Sequence, residues 1–143
     1  VLPDGYSETV VQVENLTEIM ADKLVSFPAT TRYIRYRDMW DLVWLHQQGA
    51  EPDIELISAK LADYQLQTTF SELLQSRIDS IEPIIATGKF QTEMKRFIPA
   101  PVYNRTLGQP DFMVYLSNTL KDMLSAVQNM LDGKKPGNIP FRM

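Results

Sequence analysis

Between Tyr36 and Leu45 the apolar side chains are too dense for one face of a helix. Tyr36, Met39, Trp40, Leu42, Val43, Trp44 and Leu45 cover most of a helical circumference at about 100° per residue. A helix that is apolar on nearly every side must be surrounded by other elements. The chain therefore has to build a helical body around this segment. Gly49 follows at the place of a helix stop.

The flanking sequence supplies the surrounding helices. Asn15 and Glu18 stand at capping-box spacing, which predicts a helix from about Leu16 that ends before Pro28. Leu16, Ile19, Met20, Leu24 and Phe27 form its apolar face. Pro52 and Asp53 open a third helix to about Gln65, with Ile54, Ile57, Leu61 and Tyr64 at helical spacing. Thr69 and Glu72 make a second capping box ahead of a fourth helix carrying Phe70, Leu73, Leu74, Ile78 and Ile81. Pro83 is expected to kink or restart that helix, and Gly88 to end it. A short helix over Phe90 to Phe97, a loop from Pro99 to Pro110 and a long helix over 111–131 complete the series. Met113, Leu116, Leu120, Met123, Leu124, Val127 and Met130 stripe the last helix, as a core face or as an interaction surface.

One segment reads differently. Glu8 to Glu14 holds Val10, Val11 and Val13, a β-branched cluster typical of a strand. A lone strand cannot satisfy its own backbone, so a partner in this chain, a second subunit or another segment is expected. The expected architecture is mostly α: a single helical domain over 1–143, with five or six helices and a short N-terminal strand at 7–14. The helical body spans 16–133 and a loose Gly/Pro/basic tail spans 134–143.

Composition narrows function. Hydrophobic residues make up 44% of the 143, enough for one core. The net charge of −4 disfavours general binding of nucleic acid or anionic membrane. Nucleic-acid contact is left to a local patch of Arg32, Arg35 and Arg37, with Lys95 and Arg96 second, unless these are only solvated surface. The absence of cysteine excludes disulfides, thiolate catalysis and cysteine zinc sites. No run of 18 apolar residues and no signal-peptide pattern is present, so a cytoplasmic location is expected. His46, the single histidine, lies beside Leu42 and Met39 on the wheel, a core or boundary position. Trp40 and Trp44 read as core.

The chemically distinctive residue is Lys23. It falls in the middle of an apolar face, between Ile19 and Leu16 on the wheel. Such a lysine either extends its ammonium to water or is buried against a carboxylate. Asp38 and Asp41, three apart on the next helix, are the available partners. Asp38 lies between Leu42 and Leu45, whereas Asp41 lies at the edge near Arg37, so Asp38 is expected buried and Asp41 exposed. The set reads either as an ion pair fixing helix register or as a lysine placed to meet an anion such as phosphate. The paired carboxylates could also hold Mg²⁺ or act as acid and base.

Glu18-Ile19-Met20-Ala21-Asp22-Lys23-Leu24, followed by Arg37-Asp38-Met39-Trp40-Asp41-Leu42, resembles the third and fourth motifs of the AbiEii/AbiGii nucleotidyltransferase toxin family. Val10 to Val13 resembles the strand leading into the third motif. The resemblance implies transfer of a nucleoside monophosphate from an NTP with Mg²⁺, in a toxin paired with an antitoxin, some relatives acting on tRNA. It implies that Lys23 and Arg37 contact the nucleotide and that Asp38 and Asp41 lie near the reacting centre. The family's Gly-Gly/Ser turn and Asp-x-Asp metal pair have no counterpart before Val10. The chain is therefore expected to correspond to the family's C-terminal half and to be inactive by itself. Its partner would be an N-terminal nucleotidyltransferase half, an antitoxin-like protein, or a second copy joined through strand 8–13. The competing expectation is a non-catalytic helical protein-interaction module.

Overall fold

The computed structural model describes residues 13–133 of the chain, with side chains from residue 15 onward. Among these residues there are seven helices. They are α1 Val13–Ala29, α2 Tyr36–Gln47, α3 Ile54–Asp63, α4 Phe70–Ala86, α5 Lys89–Met94, α6 Ala100–Arg105 and α7 Pro110–Gly133. Helix α1 packs against α2, α3 and α4, while α7 lies against α4, α2 and α3. Their facing stripes form one apolar cluster, with Phe27, Phe70, Phe90, Leu24, Leu42 and Leu74 among its fully buried side chains. Helix α2 is enclosed by α1, α5 and α7, as its apolar circumference requires.

The strand expected at 7–14 lies outside the described residues except for Val13 and Glu14, which open helix α1. Asn15 is therefore inside the helix, and the expected start at Leu16 is corrected to Val13. The other end also differs, because α1 passes through Pro28 to Ala29. A proline in the last turn removes one backbone donor and exposes carbonyls to be satisfied elsewhere. Arg77 on α4 does this: Nε donates to the Phe27 carbonyl at 3.3 Å and Nη2 to the Thr30 carbonyl at 2.9 Å. Its guanidinium also lies 5.3 Å from the centre of the Phe27 ring. The tertiary contact overrides the local stop signal.

Three further expectations are corrected. Helix α4 continues through Pro83 to Ala86 without restarting, held by its packing on α7, α1 and α5. Thr69 makes no capping bond because its backbone is already helical, φ −109° and ψ −16°, instead of the extended geometry a cap needs. The loop over 99–110 contains α6, whose Pro101 occupies the first turn. Proline is tolerated there because the first-turn N–H groups have no intrahelical partner.

The ends of α2 and α3 share one hydrogen-bond pattern. In α2, Gly49 N–H bonds to His46 O at 3.1 Å and Ala50 N–H to Leu45 O at 3.1 Å. In α3, Gln65 N–H bonds to Ala62 O at 3.1 Å and Leu66 N–H to Leu61 O at 2.8 Å. Both are Schellman closures, which need a left-handed residue after the cap. Gly49 fills that place at φ 98°, but at α3 it is a glutamine, Gln65 at φ 58°. A Cβ in this region costs about 1–2 kcal/mol, partly offset by glycine's larger unfolded-state entropy. Gln65→Gly is therefore expected to stabilise the fold by about 0.5–1 kcal/mol, and Gly49→Ala to destabilise it. Urea unfolding of the two variants checks both signs.

Candidate functional site

Helices α1 and α2 meet at a cluster of four charged side chains. Lys23 projects from α1, with its side chain 19% exposed. Its Nζ stands 3.2 Å from Asp38 Oδ1 and 3.1 Å from Asp41 Oδ2. Arg35, at the N-cap of α2, donates from Nε to Asp38 Oδ2 at 2.6 Å. Ser26, one turn along α1 from Lys23, donates from Oγ to the same oxygen at 3.3 Å. Two cations thus face two anions.

The local sequence explains the placement. Asp38 is the third residue of α2, where the unpaired N–H groups and the helix dipole favour a carboxylate. Asp41 follows one turn later on the same side. Lys23 and Ser26 are likewise one turn apart on α1, so both present themselves to α2. Burying two carboxylates without cations would be strongly unfavourable, and the lysine, the arginine and the hydroxyl offset it.

The expected pairing of Lys23 with Asp38 is present. The expected exposure of Asp41 is corrected: it is only 6% exposed and shares the lysine. The wheel put it at an edge, and its ion pair with Lys23 of α1 brings that edge into the seam between the two helices. Arg35 was legible only as part of a basic patch. Its position three residues before Asp38 is the signal that identifies it as a partner. Arg37 is the second residue of α2. It lies over the Phe97 ring, 5.7 Å from the centroid, and lines a cavity together with Asp41. His46 is exposed and not a core residue, and Trp40 and Trp44 are half-buried on the wall of that cavity.

Burial alone would lower the proton affinity of Lys23, but the charges of Asp38 and Asp41 and their hydrogen bonds outweigh it. The ammonium is held above its ordinary range. Lys23 is thus a fixed cation, suited to neutralising an anion and unsuited to acting as a base. The pair does not fit a Mg²⁺ ion in this arrangement, because the Lys23 ammonium already stands between the two carboxylates a dication would use. Among the described residues no group of three or more His, Cys, Asp or Glu side chains converges either. No described helix is long and apolar enough to cross a membrane.

Replacing Lys23 with methionine should leave two buried carboxylates short of a cation. A destabilisation of about 3 kcal/mol is expected, the low end for breaking a buried pair because the ammonium is partly solvated. The pH dependence follows from the raised proton affinity. Folded and unfolded chains both hold the proton below about pH 10.4, so the difference between wild type and variant is constant there. Above it the folded chain binds more protons than the unfolded one, and the lysine's contribution declines as pH rises further. Chemical denaturation at a series of alkaline pH values measures it.

Among protein families, the model described as nucleotidyl transferase AbiEii toxin, type IV toxin–antitoxin system, matches residues 2–118. That span contains the whole charged cluster, and it bears out the resemblance carried by the two motifs. No curated protein and no solved structure matches the chain.

Proposed function

The chain belongs to the AbiEii nucleotidyltransferase toxin family, and on that premise we propose that Lys23 is its contact to the phosphates of a nucleoside triphosphate. The observation that carries this reading is the ammonium itself. It is half-buried, held above its ordinary proton affinity, and stands 3.2 Å from Asp38 Oδ1 and 3.1 Å from Asp41 Oδ2. A phosphate oxygen approaching the cluster would meet Lys23 and Arg35 together, since both converge on Asp38. Charge-assisted bonds to phosphate are the strong ones. Asp38 and Asp41 then act as positioning residues, setting the direction of the cations, and Arg37 flanks the path of the nucleotide.

The reaction class supported by family membership is transfer of a nucleoside monophosphate from an NTP to an acceptor. In this reading the two aspartates are committed to the lysine. The carboxylates that would hold Mg²⁺ are then supplied by groups other than Asp38 and Asp41, from an N-terminal nucleotidyltransferase half or another polypeptide. The 143-residue chain by itself would not turn over, and an antitoxin would be its functional counterpart.

Calorimetric titration with ATP, GTP, CTP and UTP tests the phosphate contact. Weak binding, with a dissociation constant on the order of 1 mM, is expected for at least one of them. Lys23→Ala should weaken it by about tenfold to a hundredfold, the value of one or two charge-assisted hydrogen bonds. Equal affinity in wild type and Lys23→Ala, with the variant folded by circular dichroism, would end the assignment.

A further inference from the structure

Arg77 on α4 commits a donor from each of its nitrogens to a neutral group. Nε donates to the Phe27 carbonyl at 3.3 Å, Nη2 to the Thr30 carbonyl at 2.9 Å and Nη1 to Ser80 Oγ at 3.5 Å. The guanidinium is half-buried, and burial pushes its proton affinity below the ordinary arginine range. Tyr36, which opens α2, acts in the opposite sense. A neutral amide would offer donors to the same carbonyls without the cost of desolvating a charge.

The reason for a cation lies at the end of α1. The partial negative charge of a helix C-terminus favours a cation, yet the last turn of α1 contains no basic residue. Arg77 supplies one from α4. It also grips two carbonyls of that turn with one rigid fork, which a guanidinium forms and an ammonium does not.

From that turn the hydrogen bonds continue to the charged cluster. Thr30 N–H bonds to Ser26 O at 3.0 Å. Ser26 Oγ lies 3.3 Å from Asp38 Oδ2 and 3.5 Å from the Lys23 carbonyl. Asp38 Oδ2 is also the oxygen that receives Arg35 Nε. A carboxylate oxygen has two lone pairs, so Ser26 and Arg35 do not compete for it. With Lys23 on Oδ1, donors on both oxygens fix the plane of the carboxylate. Of these donors, Ser26 is the one bonded through its backbone to the residue that Arg77 grips.

We propose that Arg77 is a positioning residue for the charged cluster, acting through the last turn of α1 and the Ser26 hydroxyl on Asp38. Its own bonds end on two carbonyls and on Ser80, and its effect on Asp38 is carried by Thr30 and Ser26. Arg77 thereby sets the direction in which Arg35 and Lys23 are aimed. The inference goes beyond the phosphate reading, since it concerns how the cations are held and applies to any anion they meet.

A chain of contacts becomes coupling only when a change at one end moves the other. The reporter is the Arg35 Nε–H proton, followed by NMR at one pH without nucleotide and assigned by its loss in Arg35→Lys. Arg77→Lys keeps the charge and loses the fork. It should speed exchange of the Arg35 Nε–H with solvent about fivefold, the change that one hydrogen bond of ordinary net strength produces. Ser26→Ala should act in the same direction. The double variant should exceed neither single change by much, because both lie on one path. Coupling is reciprocal, so Ser26→Ala should also speed exchange of the Arg77 Nε–H, and this arm stands even where Arg77→Lys does not fold. If Arg77→Lys loosens the Thr30 amide and leaves the Arg35 Nε–H unchanged, Arg77 only ties off α1 and the proposal is overturned. Effects that multiply in the double variant, or an Arg77 Nε–H indifferent to Ser26→Ala, overturn it as well. With no nucleotide present, these outcomes are independent of the triphosphate titration.

Discussion

An ammonium held between two carboxylates joins α1 to α2, and its consequences spread through the fold. Each carboxylate is buried, so neither can lose its cation without a large cost. The pairing therefore fixes which faces of the two helices meet. Once they meet, Met20 and Leu24 of α1 and Met39 and Leu42 of α2 fall into one apolar cluster. The remaining apolar surface of α2 is covered by α5 and α7. The polar contact selects the register, and burial of hydrocarbon supplies most of the stability.

The parts of this site that were legible in the sequence share a property: they depend on one helix or on two consecutive ones. Lys23 on an apolar stripe, with Asp38 on the inner face of the following helix, needs only a helical wheel and a short connection. Asp41 lies at the edge of that face, so its burial is set by the tertiary packing around it, and no local pattern encodes it. The same distinction explains α1 crossing Pro28, since the side chain that satisfies its end, Arg77, comes from α4. The tryptophans failed in the opposite direction. Their wheel positions are apolar, but the neighbouring elements leave that side of α2 open as a cavity wall, and His46 is simply exposed. Proline was read only as punctuation, which hid α6.

The charged cluster also constrains chemistry. Lys23 and Arg35 face Asp38 and Asp41, so their formal charges cancel. A neutral, hydrogen-bonded set of this kind is stable without a ligand, which an isolated buried lysine would not be. In the proposed reading an anion would share the cations with the aspartates without displacing them, because an ammonium has three donors and a guanidinium five.

The cavity beside this cluster has walls of unequal firmness. On one side stands α2, with six residues buried and neighbours on three flanks. On another stands α6, six residues long with none buried, although Val102, Arg105 and Thr106 line the cavity. Segments with few buried contacts open at low free energy, independently of the core. Amide protons of α6 should accordingly exchange through local opening, while those of α2 wait for global unfolding. The short helix is thus the wall of this cavity that yields at the lower cost, and its loosening leaves the charged seam between α1 and α2 closed.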